Sequence, residues 1–241
     1  MDFFVGEGLN SNTKLYRYMD VESFISFIET GKILFTNVNL WDDEWEVILS
    51  KLPTENDKGE LVYPLYSFHE YIFGQSWSLK QESDAMWRIY SQSKTGIRIA
   101  TSVEKFKMIK GIKQCHVEKV VYFESVDQLL ELSSAHSSLF KDALFKRNVF
   151  DHECEVRVLT HGDFLDHFES AWSHVSLPVD ISKFIEGITL DPRAGDWFVD
   201  AISKYCGRIG LVTKPIKSNL YEPDPHLKLG LARKWVPVKD K

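Results

Sequence analysis

Cysteine is scarce in this sequence, and the three cysteines lie far apart. Cys115, Cys154 and Cys206 are odd in number and share no close spacing. This pattern excludes a disulfide framework and a zinc site built from close cysteine pairs. Reduced cysteines are typical of the cytoplasm, so we expect a cytoplasmic location.

Long apolar runs are also absent. No segment approaches the ~20 apolar residues that span a bilayer, and the opening MDFFVGEGLN lacks a basic leader region. We therefore expect no membrane partner. The common nucleophile-elbow, phosphate-loop, dinucleotide and zinc-protease motifs are missing as well.

Positive charge is sparse, since the net charge is −6. Such a chain has no overall attraction to nucleic acid or anionic lipid. A basic C-terminal end at about 226–241 is the exception, and it could be a solvated tail or a local nucleic-acid contact. Its cations are Lys228, Arg233, Lys234, Lys239 and Lys241.

The chain is long enough to bury a core, with 241 residues of which 44% are hydrophobic. We expect a single domain over residues 1–241. Strand and helix patterns are mixed without strict alternation, which predicts an α+β fold with a mainly antiparallel sheet. One helix begins after Asp20 and ends at Gly31, another begins after Ser83, and a helical pattern runs from Ser125 to about Arg147.

The stretch FDHECEVRVLT, residues 150–160, alternates like a β-strand. Glu153, Glu155 and Arg157 would share one face, and Cys154, Val156 and Val158 the other. A solvated sheet face is one interpretation of this charge row. The functional interpretation is a pair of carboxylates whose titrations split, one rising toward neutrality as a general base requires.

Three other places concentrate polar groups in apolar settings. They are YRY around Arg17, SWS with Ser76 and Ser78, and WDDEWE at 41–46. An arginine between tyrosines is either a surface ion-pair partner or a guanidinium fork for phosphate or carboxylate. WDDEWE lacks the glycine and spacing of a calcium loop, so we expect it to have a structural or substrate-positioning role.

In order, these pieces resemble a bacterial family, domain of unknown function twenty-nine seventy-one. The matching segments are LYRYMDVESFISFIETGKILFTN, the altered WDDEWE, SWSLKQESDAMWRIYSQSKTGIRIAT, ECEVR and IEGITLDPRAGDWFVDAISKYCG. In WDDEWE, Asp42 and Glu44 stand where that family has Asn and Pro. The resemblance runs from about Leu15 to Leu220 and suggests a bacterial toxin or phage-defence effector, with an antitoxin among its partners.

The same order is similar, more distantly, to ADP-ribosyltransferases, whose arginine, serine and glutamate motifs surround NAD. That resemblance implies a split two-sheet β core with flanking helices, NAD as substrate, and a protein or nucleic acid as acceptor. It implies Glu155 as the catalytic carboxylate and Glu153 as the residue that orients the acceptor. The residues it implies for NAD binding are Arg17, Tyr18, Ser76, Ser78, Trp87 and Tyr90; the helical spacing of Trp87 and Tyr90 fits a core role equally.

Two other functions fit the same residues. Asp42, Asp43, Glu153 and Glu155 could converge as oxygen ligands of magnesium in a metal-dependent nuclease. Alternatively, the charged strand could face solvent in a binding module without catalytic activity. The ADP-ribosyltransferase hypothesis requires no bound metal, and it predicts that Arg17, a serine and Glu155 line one cleft.

Overall fold

The computed structural model describes residues 1–62 and 68–223, in which strands and helices are mixed along the chain. The α+β fold class is therefore confirmed. The strands are β1 (Asp2–Val5), β2 (Lys14–Met19), β3 (Lys32–Asn37), β4 (Thr54–Glu55), β5 (Leu61–Val62), β6 (Ile72–Ser78), β7 (Ile97–Ser102), β8 (Gln114–Lys119), β9 (Val121–Phe123), β10 (Phe145–Arg147), β11 (Glu155–His161), β12 (His174–Pro178), β13 (Gly187–Leu190) and β14 (Pro215–Lys217). The helices are α1 (Val21–Thr30), α2 (Ile48–Lys51), α3 (Asp84–Tyr90), α4 (Val126–Ala135), α5 (Ile181–Phe184) and α6 (Asp196–Arg208).

Within the described residues, ten strands form one sheet and four form two small ones. The main path is β1, β8, β11, β6, β2, β7, β13 and β14, with β3 and β12 branching from β6. The pairs β1–β8 and β13–β14 are parallel, and the other pairs of this sheet are antiparallel. The small sheets are the parallel pair β9–β10 and the antiparallel pair β4–β5.

The large sheet divides along one edge of β6. There β3 pairs with β6 as far as Gly74, whereas β2 pairs with it at Ser78. Residues 75–77 lie between these two contacts, where β2 and β3 diverge. This divergence confirms the predicted split core, and it opens a cleft in the middle of the sheet.

The helix ends follow the predicted local signals. Asp20 accepts a hydrogen bond from the Ser23 amide at 2.6 Å at the start of α1, and Gly31 ends it with a φ of 63°. Such a left-handed backbone favours glycine, which has no Cβ to clash. Ser83 likewise caps α3 through the Met86 amide.

The structure corrects the predicted strand at 150–160. Residues 148–153 form a 3-10 segment, Cys154 has a left-handed backbone, and β11 begins only at Glu155. Every residue of β11 is buried, so the solvated-face interpretation is wrong. The predicted alternation holds from Glu155 onward, because Val156 and Val158 face the apolar core.

The long helical pattern after Ser125 is also shorter than predicted. Helix α4 ends at Ala135, a 3-10 turn spans 141–143, and β10 takes up residues 145–147. Serine is a weak helix former, and residues 133–138 contain four serines. The chain therefore leaves the helix there and returns toward the sheet.

Some predictions lie outside what the structure describes. The basic residues at 228–241 are among the residues that are not described, and the single domain over 1–241 stays a prediction. None of the helices in residues 1–62 and 68–223 has the length and apolar character that crossing a membrane requires.

Candidate active site

The site begins at the first residue of strand β11, beside the split in the sheet. Glu155 and Arg157 are two residues apart on the strand and therefore point to the same face. On the neighbouring β6, Ser78 lies opposite Glu155 and Ser76 lies opposite Arg157. This pairing brings both predicted serines to the predicted glutamate.

Arg157 is fully buried and holds several groups in place. Its Nε donates to Glu155 Oε1 at 2.9 Å, and its Nη2 donates to Glu46. Nη1 donates to the Ala143 carbonyl at 2.7 Å, and the guanidinium lies 4.3 Å from the centroid of the Trp41 ring. A buried charge is tolerated only when it is paired in this way.

Lys146 of β10 supplies a second buried cation. Its Nζ lies 2.9 Å from Glu155 Oε2, 2.7 Å from Glu153 Oε2 and 3.3 Å from Glu46 Oε1. We refer to these three carboxylates, with Lys146 and Arg157, as the charged cluster. It carries three negative and two positive charges when every group is ionised.

Glu153 joins the charged cluster although it precedes the strand. Cys154 adopts φ 46° and ψ 54°, a conformation that is uncommon for a residue with a side chain. This turn separates Glu153 from the strand alternation and directs its carboxylate to Lys146. The Ser78 hydroxyl donates to the Glu153 carbonyl at 2.6 Å and fixes the backbone there.

The surrounding cations keep Glu155 ionised. Burial alone would raise the pKa of this carboxyl, but the charges of Arg157 and Lys146 outweigh burial and lower it to about 2. The opposite balance holds at Glu46, where burial raises the pKa despite the same two cations. The carboxyl expected to rise toward neutrality is therefore Glu46, which the sequence did not single out.

Arg17 lies across the cleft from the charged cluster. Its Nη1 donates to the Ser76 carbonyl at 3.2 Å, at the point where β2 and β3 diverge. Burial lowers the pKa of its guanidinium to about 10, while Tyr90 and Glu155 act in the opposite direction. Arg17 is thus cationic at neutral pH.

Two cavities meet at Arg17. The smaller one, about 140 Å³, is lined by the two serines, Glu153 and Glu155. The larger one, about 890 Å³, extends between α1, β2 and β3. Both are lined by the same four residues at their junction, Arg17, Tyr18, Trp77 and Tyr90.

The structure therefore brings together most of the predicted site residues. Those that line the small cavity are Arg17, Tyr18, Ser76, Ser78, Tyr90, Glu153 and Glu155. Trp87 does not line it: this side chain is fully buried, donates from Nε1 to Glu82 at 2.9 Å, and packs edge-on against Tyr18 at 4.8 Å. Trp87 is therefore packed as a core residue, which is the other interpretation of its helical spacing.

Three residues near Glu155 were missed from the sequence. Glu46 and Lys146 complete the charged cluster, and the Tyr122 hydroxyl accepts a hydrogen bond from the Glu155 amide at 2.9 Å. The signal for Glu46 was the WDDEWE segment itself, for which a structural or positioning role was predicted. Lys146 and Tyr122 had no local signal, because a parallel contact between β9 and β10 brings them there.

The proposed magnesium site does not form. Asp43 is bonded to Arg147 at 3.2 Å, and Glu153 and Glu155 are bonded to Lys146. Across residues 1–62 and 68–223 no group of three or more His, Cys, Asp or Glu side chains could hold a metal ion. The carboxylates at the site are instead ion-paired with lysine and arginine side chains.

Comparison with solved structures finds DarT of Thermus sp. 2.9. In complex with NAD+ it is 11% identical, over 87% of this chain and 96% of that chain, with a TM-score of 0.41. The same protein in complex with ADP-ribosylated ssDNA is 11% identical, over 88% of this chain and 96% of that chain, with a TM-score of 0.41. No curated protein sequence matches the chain.

A family model matches the part of the chain that contains the charged strand. The model is described as a protein of unknown function (DUF2971), and it matches residues 86–158. That segment includes Lys146, Glu153, Glu155 and Arg157, four of the five residues of the charged cluster. The resemblance to this family of unknown function is therefore confirmed over residues 86–158.

Proposed function

We propose that the protein is an NAD-dependent ADP-ribosyltransferase. The supporting observation is that Glu155, which is ionised at neutral pH, and a cationic Arg17 face the same cleft, in the split of a mainly antiparallel sheet. The DarT structures were solved with NAD+ and with ADP-ribosylated ssDNA, but a TM-score of about 0.4 supports no argument about activity.

The larger cavity has a suitable size for a dinucleotide. Its volume of about 890 Å³ falls within the roughly 300–1,000 Å³ that is typical of small-molecule and cofactor sites. Arg17 at its junction with the smaller cavity would contact the phosphates through charge-assisted hydrogen bonds. The nicotinamide ribose would then lie at the smaller cavity, beside Ser76, Ser78 and Glu155.

Glu155 would act where positive charge develops. When the bond between ribose C1′ and the nicotinamide nitrogen breaks, its electron pair leaves with nicotinamide and the ribose gains oxocarbenium character. A fixed carboxylate that stays ionised at neutral pH stabilises this charge. The acceptor then forms a bond to C1′ and loses a proton, with Glu153 beside it.

The acceptor and the biological setting are part of the same proposal. A protein or a nucleic acid would receive the ADP-ribose, and a toxin or phage-defence role in the cytoplasm, with an antitoxin partner, would follow from the family resemblance. The basic C-terminal residues that would favour nucleic acid lie outside the described part of the chain.

Nicotinamide release from NAD+ tests the activity. Wild-type protein should release nicotinamide and should show a thermal shift with NAD+, whereas Glu155→Gln should keep the shift and lose about 10²-fold or more in rate, or ~3 kcal/mol. Glu104→Gln, an exposed glutamate far from the cleft in sequence, is the matched control. Circular dichroism checks the fold. If Glu155→Gln is unstable, Glu155→Asp, which keeps the charge, replaces it in the same assay.

Full nicotinamide release by a folded Glu155→Gln protein would end this proposal. A wild-type protein that neither binds NAD+ nor releases nicotinamide would end it equally. If NAD+ binds without reaction, the binding-module alternative gains support. Loss of activity on adding a chelator would point back to metal chemistry.

A further inference from the structure

Lys146 contacts all three glutamates of the charged cluster. The distances from its Nζ are 2.7 Å to Glu153, 2.9 Å to Glu155 and 3.3 Å to Glu46. An ammonium group has three N–H donors and no acceptor. Each donor therefore has one carboxylate, and the donor capacity of Lys146 is filled.

Glu153 depends on Lys146 more than the other two glutamates do. Glu46 and Glu155 also bind Arg157, whereas Lys146 is the sole hydrogen-bond or ion-pair partner of the Glu153 carboxylate within residues 1–62 and 68–223. No strand pairing holds Glu153 either, since it precedes the left-handed Cys154. Ser78 holds the Glu153 backbone, but without Lys146 no hydrogen bond or ion pair within the described residues would hold the Glu153 carboxylate beside Glu155.

Lys146 itself is held firmly. It is 7% exposed, its strand β10 pairs with β9, and its Nζ lies 5.0 Å from the centroid of the Phe150 ring. Burial acts to lower the pKa of Lys146, but Glu155, Glu46 and Glu153 raise it above its ordinary value. The side chain is therefore cationic at neutral pH and is held in place by its ion pairs.

We propose that Lys146 is a positioning residue that holds Glu153 beside Glu155, so that ribosyl transfer goes to a bound hydroxyl acceptor in preference to water. This inference rests on the proposed function. In the step concerned, the acceptor oxygen bonds to ribose C1′ as the bond from C1′ to nicotinamide breaks with its electron pair. Glu153 accepts a hydrogen bond from the attacking hydroxyl, whose proton passes to solvent.

The choice between two nucleophiles tests this role directly. Wild-type protein is incubated with NAD+ in a mixture of water and methanol, and the methyl glycoside of ADP-ribose and free ADP-ribose are quantified together with nicotinamide. A positioned Glu153 favours methanol beyond its share of the solvent, because orientation raises the effective concentration of the bound nucleophile. Simple solvolysis would give products in proportion to the solvent.

Two variants remove the positioning in different ways. Lys146→Met deletes the cation, and Lys146→Arg keeps it but replaces three diverging N–H donors with a planar fork. Both should lower the ratio of the methyl glycoside to free ADP-ribose by about 5-fold or more, while KM for NAD+ changes by less than about 3-fold. Lys204→Met, in an exposed ion pair with Asp200 on α6, is the matched control and should behave like wild type.

The outcomes separate this inference from the proposed function. A wild-type protein without nicotinamide release overturns both. A wild-type product ratio equal to the solvent composition overturns the role of Lys146 alone, as does an unchanged ratio in either folded variant. If Lys146→Met fails to fold, Lys146→Arg decides, because it keeps the buried charges paired.

Discussion

Arg157 donates a hydrogen bond to Glu46, a residue 111 positions earlier in the chain. The same guanidinium binds Glu155. The acidic WDDEWE segment is thus connected to the candidate catalytic strand through one buried cation. Arg157 acts to lower the pKa of both carboxyls, but burial outweighs the cations at Glu46 and not at Glu155. Because their net pKa shifts have opposite signs, the two residues should respond to pH in opposite ways.

Glu155 should stabilise the fold above acidic pH. Its pKa falls from 4.5 to about 2 on folding, which corresponds to roughly 3 kcal/mol of stability at neutral pH. For a depressed carboxyl pKa, this contribution is full above about pH 4.5 and is lost as the pH falls to about 2. The stability gap between wild type and Glu155→Gln, measured by urea unfolding, should therefore shrink over this range; a constant gap would contradict the ionised pair.

Glu46→Gln should show the opposite trend. Burial raises the pKa of Glu46 on folding, so the wild-type carboxylate opposes folding increasingly as the pH rises above its unfolded value. Relative to wild type, Glu46→Gln should therefore become more stable as the pH rises above about 4.5. Urea unfolding of both proteins at several pH values checks this, with Glu44→Gln, an exposed neighbour, as control.

Arg17→Ala should weaken NAD+ binding more than it slows the chemistry. A contact to the phosphates is made equally in the ground state and the transition state, so its loss should cost ~1 to 3 kcal/mol of affinity. Calorimetric titration with NAD+ gives the dissociation constant. Arg88→Ala, which removes an exposed partner of Asp84, should leave the dissociation constant unchanged; equal affinity in folded Arg17→Ala would remove Arg17 from the site.

Gly74→Ala should destabilise the protein next to the charged cluster. A Cβ at this position would lie 2.7 Å from Trp41 Cζ2 and 2.8 Å from Leu159 Cδ2. The Trp41 ring also covers the Arg157 guanidinium, so the clash would disturb that contact. We expect a loss of ~1 to 3 kcal/mol in thermal or urea unfolding.

The control for that variant is Gly207→Ala. Gly207 lies in α6, and an added Cβ would meet nothing within 4 Å. Alanine in a helix is favoured over glycine by roughly 0.5–1 kcal/mol, so this variant should be slightly more stable. A Gly74→Ala protein as stable as wild type would show that Trp41 moves freely.

The sequence predicted those features that depend on neighbours along the chain. Asp20, Gly31 and Ser83 act within one helical turn, and each lies at the helix end that it predicted. The alternation of Glu155 and Arg157 on β11 is equally local. Their common face was therefore predictable, although its burial was not.

The remaining features depend on contacts between distant segments. Lys146 lies at the end of a pattern that indicated a helix, and its position follows from a pairing with Tyr122. Glu153 does not lie in the predicted strand because it is the last residue of a six-residue 3-10 segment. Because Glu155 is buried and ion-paired, its replacement affects stability as well as activity, so the activity of a folded variant must distinguish catalysis from structure.

The pairing of β11 with β6 sets which side of the sheet receives charge. If β11 slipped by one residue, Glu155 and Arg157 would move into the apolar core, and Val156 and Val158 would face Lys146 and Glu46. Such a register would bury Glu155 and Arg157 in the apolar core away from Glu46 and Lys146, and would leave Glu46 without Arg157 and Lys146 without Glu155, at a cost of several kcal/mol. The charged cluster therefore selects one alignment of the central strands, which makes the correct assembly of the candidate site a condition of correct folding.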